Sequence, residues 1–179
     1  DPSFYPAAWH NSVAFVTAVG HLPVALAANA MTMLVCGVVW VLGCLYFTTR
    51  VLGSRPAVAV ATGLMASSFP AFPYLLSFYG NLFPNAMSIA FLPLWLGLLT
   101  DALGLSRGPY LRSKLALWIT VLAVTGAMGL AHPSTVVLGL AILWIMLLTL
   151  WWRELRSPRA WWRKLLGAVA LVALSLIHI

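Results

Sequence analysis

The chain has 179 residues, 63% of them hydrophobic and 7% charged, with a mean hydropathy of +0.98, which excludes a water-soluble globular domain and specifies a multi-spanning helical membrane protein. A net charge of +7 and a pI ≈ 10.1 would suit a phosphate-binding surface, but every Lys and Arg lies beside a long uncharged apolar stretch, which excludes nucleic acid as the partner. The clusters are Arg50 and Arg55; Arg107, Arg112 and Lys114; and Arg153, Arg156, Arg159, Arg163 and Lys164.

The fold class expected is all-α, a polytopic transmembrane bundle in one domain. Residues 1–25 form an external juxtamembrane segment and 26–179 supply the spans. The chain opens with Tyr5-Pro6-Ala7-Ala8-Trp9-His10-Asn11 and runs to Pro23. Proline is tolerated in a helix's first turn and disfavoured inside it, so Pro6 and Pro23 bracket a short helix. At 100° per residue, His10, Thr17 and His21 fall within about 40° of one another, with Ala14 beside them. This narrow polar stripe on a helix too short to span predicts a juxtamembrane element on the outer surface. The stripe either solvates an interfacial helix or binds a ligand. A rival division of 7–49 into two spans turns near Asn29, but Ala27-Ala28-Asn29-Ala30 has no Gly, Pro or charge to hold a turn.

Uncharged runs of roughly 17–25 residues read as spans because a backbone in hydrocarbon must satisfy its own hydrogen bonds. Five complete spans are expected, at approximately 26–49, 57–77, 86–103, 115–131 and 134–152, and a sixth begins near Leu165. Positively charged loops stay cytoplasmic, which places 50–56, 104–114 and 153–164 inside. The N-terminal segment, 78–85 and the His132-Pro133 link then lie outside, and none of them carries a Lys or Arg. The expected setting is a bacterial plasma membrane with the N-terminal segment outside and lipids as partners. Trp151, Trp152, Trp161 and Trp162 suit the headgroup layer, and the loop Arg153 to Lys164 can attract anionic lipids.

Within the first span, Cys36 and Cys44 are about 12 Å apart along the axis, too far for a disulfide. Between the second and third spans, Phe69-Pro70-Ala71-Phe72-Pro73-Tyr74 and Phe78-Tyr79-Gly80-Asn81-Leu82-Phe83-Pro84-Asn85 combine helix-ending prolines with aromatic rings and carboxamides. This loop either clasps a lipid-linked polar ligand or forms an aromatic belt with Asn85 as helix cap. Further on, Gly129-Leu130-Ala131-His132-Pro133-Ser134-Thr135 turns a helical hairpin. An ionisable residue at membrane depth faces a protein interior or cavity, so His132 is either a ligand contact or a neutral imidazole bonded to carbonyls freed at the helix break. No CxxC, HExxH, P-loop or GxSxG pattern occurs, so neither a metal site nor a serine nucleophile is indicated and no cofactor is identified. The chain is expected to be a piece of a longer protein, and Leu174 to Ile179 resemble a translated sequencing adapter.

Tyr5-Pro6-Ala7-Ala8-Trp9-His10 resembles the YPxxWH opening of a family of uncharacterised actinobacterial multi-spanning membrane proteins related to GT-C glycosyltransferases. Tyr46-Phe47-Thr48-Thr49-Arg50-Val51-Leu52-Gly53, followed by Arg55-Pro56-Ala57 and a span closing at Pro70, resembles the Tyr-x-x-x-Arg-x-x-Gly turn of protein mannosyltransferase-like and aminoarabinose transferase-like enzymes. The resemblance covers roughly residues 3–100. It implies transfer of a sugar from a polyprenyl-phosphate donor on the outer face, with His10, Asn11, Tyr79, Asn81 and His132 as the substrate-binding set. It also implies a catalytic Asp or Glu in a first external loop, well before the proline-aromatic segment and so expected upstream of Asp1; Asp1, the one acidic residue placed outside, does not match the pattern's position, and Asp101 and Glu154 sit at cytoplasmic span ends. A non-catalytic transporter or lipid-handling scaffold is the alternative. Paired broken helices or inverted repeats would favour transport, and the sequence has no clear repeat.

Overall fold

The computed structural model describes residues 6–76, 82–107, 113–156, 165–170 and 172. All regular structure among them is helical, and four helices are long and apolar enough to cross a membrane. The chain forms two compact units, Asp1–Val136 and Val137–Ile179.

In the first unit, α1 (Ala8–Gly20) is the short helix expected between Pro6 and Pro23. It ends on His21, whose φ of 49° is left-handed and whose N–H donates to the Thr17 carbonyl. Such a conformation disfavours a residue with a Cβ, and Pro23 then starts the next helix afresh. That helix, α2 (Val24–Leu52), is continuous over 29 residues, about 43 Å at helical rise. Asn29 lies within it, so the rival turn there does not form. A π-helical stretch, Leu34–Val39, interrupts its α geometry. Gly53 stops it with a φ of 94°, a backbone that favours glycine.

The second expected span is shorter than hydropathy suggested. From Pro56 at its first turn, α3 (Pro56–Ser68) runs only 13 residues, about 20 Å. Phe69 precedes Pro70 and is pushed to an extended backbone, φ −70° and ψ 120°, as the proline ring demands. Two of the carbonyls freed at this helix end are met by side chains. Trp40 Nε1 on α2 donates to the Ala66 carbonyl at 2.9 Å, and the Tyr74 hydroxyl donates to the Ser67 carbonyl at 3.0 Å. A distorted turn, Pro70–Leu75, follows.

The central element is α4 (Phe83–Ala102), 56% of whose most apolar window is buried, against 17% for α2. Its first turn contains Pro84 and its first flanking residue is Leu82, so Asn85 lies inside the helix and is not its cap. At the crossing of α2 and α4, a Cβ on Gly43 would come within 3.1 Å of Pro93 Cγ and Leu94 N. That close approach favours glycine. α5 (Lys114–Ala131) begins at Ser113, whose Oγ accepts from the Ala116 N–H at 3.3 Å, an ordinary N-cap. It is tied to α4 by Trp95 Nε1 donating to Thr125 Oγ1 at 2.7 Å. Finally α6 (Pro133–Leu155) starts in the first unit and continues into the second. Within the second unit Trp151 packs so closely on the helical residues 165–170 that a Cβ on Gly167 would lie 2.5 Å from its ring. The Arg156 guanidinium stands 4.9 Å from the Trp152 ring centre, the cation–π contact of an interfacial aromatic.

Candidate functional site

The sequence-predicted site residues that can be placed lie at one end of α4. Trp9, 3% exposed, stacks on Phe83 with ring centres 5.1 Å apart and planes 12° from parallel. Val13 follows Trp9 by one turn, and these two side chains enter a core with Ala27, Met31 and Val35 of α2, Phe72, and Ala86 and Ala90 of α4. The spacing of Trp9, Val13 and the half-buried Val16 is that of one helix edge. This edge fixes α1 against the start of α4.

The adjoining face carries the expected polar stripe. His10, Ala14 and His21 are exposed. Thr17 departs from it: one turn after Val13, it leans toward the core, and its hydroxyl is buried without a hydrogen-bond partner among the described residues. Asn11 lines a shallow groove of about 400 Å³ with Ser12, Phe15 and Val16 of α1 and Met31 of α2. Most of that lining is apolar; the Asn11 carboxamide and the Ser12 hydroxyl are its polar groups, and Ser12 already donates to the Ala8 carbonyl at 2.9 Å. The groove therefore offers one uncommitted type of polar contact, a carboxamide able both to donate and to accept.

His132 is half-buried at the link between α5 and α6, in an extended conformation with φ −165° and ψ 120°. Its Nδ1 lies 2.6 Å from Ser134 Oγ, so the imidazole tautomer sets the direction of that bond. Among the described residues the imidazole bonds Ser134 rather than a backbone carbonyl of the helix break, where the Met128 carbonyl takes the His132 N–H at 2.8 Å and the His132 carbonyl the Thr135 N–H at 3.4 Å. Ser88 of α4, fully buried, places its hydroxyl 2.9 Å from the Met128 carbonyl and 3.1 Å from the His132 carbonyl. Nε2 of His132 is thus the ring nitrogen not engaged with Ser134. Beside the turn, Thr135 is 2% exposed and its hydroxyl has no hydrogen-bond partner among the described residues.

Phe83 and Ser88 are five positions apart on α4, about 7.5 Å along its axis. The Trp9 stack and the His132 link therefore bring α1 and the α5–α6 turn to the same end of the central helix. Tyr79 and Asn81 lie outside the described residues. Among the described residues no three His, Cys, Asp or Glu side chains converge as metal ligands would.

A second polar constellation, which sequence reasoning did not assemble, sits at the other end of α4. The Tyr46 hydroxyl donates to Asp101 Oδ2 at 2.7 Å across 55 residues of sequence. Asp101 is 7% exposed, and its Oδ1 is buried without a hydrogen-bond partner among the described residues. The Arg50 guanidinium carbon stands 5.3 Å from the Tyr46 ring centre, within cation–π range. Room for the ring comes from Gly97, where a Cβ would lie 2.5 Å from Tyr46 Cδ1. Tyr46, Arg50 and Gly53 are the residues of the Tyr-x-x-x-Arg-x-x-Gly pattern. The pattern did not reveal Asp101 as their neighbour.

A family model described as a family of unknown function (DUF6541) matches residues 1–179. No curated protein and no solved structure matches the chain.

Proposed function

The chain belongs to the DUF6541 family, and we propose, on its site and its resemblance to other sequences, that it is the membrane-embedded part of a GT-C-like glycosyltransferase that uses a polyprenyl-phosphate-linked sugar. The observation that carries the reading is the docking of α1, too short to span, onto the end of α4 that also holds His132. The resemblance of the opening to the YPxxWH proteins, and of Tyr46 to Gly53 to the turn of GT-C enzymes, supplies the reaction class. An interfacial helix pinned over a bundle end gives a surface where a polyprenyl chain remains in lipid while its sugar phosphate reaches polar groups.

In this reaction an acceptor hydroxyl attacks the anomeric carbon. The bond from that carbon to the phosphate oxygen breaks, the polyprenyl phosphate leaves with the electron pair, and the acceptor proton passes to a base. Asn11 and His10 contact sugar hydroxyls or phosphate from α1, and His132 approaches through Nε2, its other nitrogen being held by Ser134. Tyr79 and Asn81 belong to the proposed binding set on the sequence reading. Asp101 is committed to Tyr46 at the opposite end of α4, so the acid that activates the acceptor is assigned to another part of the full-length protein. The proposed orientation puts the α1 end outside and the arginine-bearing turns inside the plasma membrane, following the positive-inside rule.

A polyprenyl-phosphate sugar bearing a diazirine near its head group tests the assignment in membranes that contain the full-length protein. Crosslinks should map to α1 and the His132 turn and be competed by unlabelled donor. Crosslinks confined to lipid-facing positions along the spans, without competition, would leave the scaffold reading in its place.

A further inference from the structure

We propose that the π-helical stretch Leu34–Val39 of α2 is a swivel: winding its extra residue back into the α-helix turns the N-terminal half of α2 about its own axis and opens the groove beside Asn11. The swivel rests on the packing of α2 and not on the transfer reaction.

Two edges of α2 pack on α4, one on each side of the stretch. On the N-terminal side, Ala27, Met31 and Val35 are buried in the core that Ala86 and Ala90 of α4 share. On the C-terminal side, a Cβ on Gly43 would meet Pro93 and Leu94 at 3.1 Å, and Tyr46 lies against Gly97 with its hydroxyl on Asp101. In an unbroken α-helix, at 100° per residue, these two edges would point about 90° apart, and they could not both press on one neighbour. The stretch removes the discrepancy. The Trp40 N–H donates to the carbonyl of Val35, five residues back, where an α-helix would use Cys36. One residue more than a regular turn is thereby taken up, which swings the edges about 100° toward each other. Both then face α4.

The two halves are held differently. The C-terminal half is hydrogen-bonded to both neighbours. Toward α3, Trp40 Nε1 donates to the Ala66 carbonyl and Thr62 Oγ1 donates to Thr48 Oγ1, each at 2.9 Å. Toward α4, Tyr46 donates to Asp101 at 2.7 Å. The N-terminal half packs through Ala27, Met31 and Val35, while Thr32 turns its hydroxyl back on its own helix and donates to the Ala28 carbonyl at 2.9 Å. When the stretch reverts to α geometry, the N-terminal half is therefore the one that turns. Met31 walls the groove of about 400 Å³ with Asn11, Ser12, Phe15 and Val16. Its rotation opens that groove and withdraws a support of α1, a one-residue register shift of the kind that switching helices use.

Deletion of Gly37 tests the proposal. Gly37 is exposed and a Cβ there would meet nothing within 4 Å, so its removal leaves an unbroken α-helix with both packed edges still facing α4. In hydrogen exchange of the purified full-length protein in detergent, Ala8–Gly20 and Val24–Met33 of the wild type should open as one unit, ahead of Trp40–Leu52. The deletion should slow exchange in both segments roughly tenfold, because it removes the minor state from which they exchange. Gly37→Ala keeps the residue count and should leave the two segments opening together. Independent opening of the two segments in the wild type would overturn the proposal, as would unchanged exchange after the deletion. A deletion variant that does not fold would overturn it too, because the alignment of the two edges would then be wrong.

Discussion

The hydroxyl of Ser88, in the interior of α4, spans the gap to the His132 carbonyl at 3.1 Å and simultaneously lies 2.9 Å from the Met128 carbonyl. Both carbonyls also take a main-chain donor, Met128 the His132 N–H at 2.8 Å and His132 the Thr135 N–H at 3.4 Å, so the hydroxyl adds a second donor to whichever it serves. Ser88 thereby ties α4 to the α5–α6 turn. Ser88→Ala should lower stability by about 1 kcal/mol, the scale of an interhelical hydrogen bond in a membrane, and loosen the α5–α6 turn. Thermal unfolding in detergent, with amide exchange across 128–135, reads both effects; a silent variant would show that the turn is held by packing alone.

Trp9 is the anchor of α1. Trp9→Ala removes a buried ring and its stack on Phe83, a truncation that costs about 3–5 kcal/mol in a well-packed core. Because the loss is local, amide exchange over Ala8–Gly20 should rise well before exchange in α4 does. Trp9→Phe should recover most of the protection.

The Tyr46–Asp101 bond should behave as a coupled pair. Tyr46→Phe leaves a buried carboxylate without its donor and should destabilise by about 1–3 kcal/mol. Asp101→Asn retains an acceptor for the hydroxyl and should cost less. The double variant should fall short of the sum by more than about 0.5 kcal/mol, the threshold for residues in contact; additivity would contradict the observed geometry.

Two glycines separate space from propensity. Gly97→Ala forces a Cβ to 2.5 Å from the Tyr46 ring and 3.2 Å from Phe47 Cα, an overpacking worth about 1–3 kcal/mol. Gly63→Ala, in α3, meets nothing within 4 Å and should be neutral or stabilising by up to about 1 kcal/mol through helix propensity. Unfolding midpoints of the two variants should move in opposite directions or differ plainly in size.

Much of this architecture is written locally. Pro6 and Pro23 bracket α1, and the uncharged runs mark α2, α4, α5 and α6, because proline geometry and hydrocarbon solvation act on short stretches of chain. Hydropathy overran α3, reading 57–77 as one span, since an apolar run looks the same whether or not Phe69-Pro70 breaks its backbone. The site was legible only in part. His10, Asn11 and His132 stood out as polar residues in segments expected outside, yet their convergence at one end of α4 depends on Trp9 meeting Phe83 and Ser88 meeting His132. Asp101 had no sequence signal tying it to Tyr46, because a contact across 55 residues leaves no local period. Ser88 was equally silent, a single small polar residue in an apolar helix.

The central claim is that the α1 end of the bundle handles a lipid-linked sugar. The most direct measurement is transfer of radiolabelled sugar from a synthetic polyprenyl-phosphate donor by the full-length protein in proteoliposomes, for the wild type and for His132→Ala and Asn11→Ala. The account predicts donor-dependent transfer by the wild type and a fall of roughly tenfold in each variant, the equivalent of one hydrogen bond of about 1.4 kcal/mol, with membrane insertion unchanged. Donor-independent background in the wild type, or wild-type turnover in both variants, would contradict it.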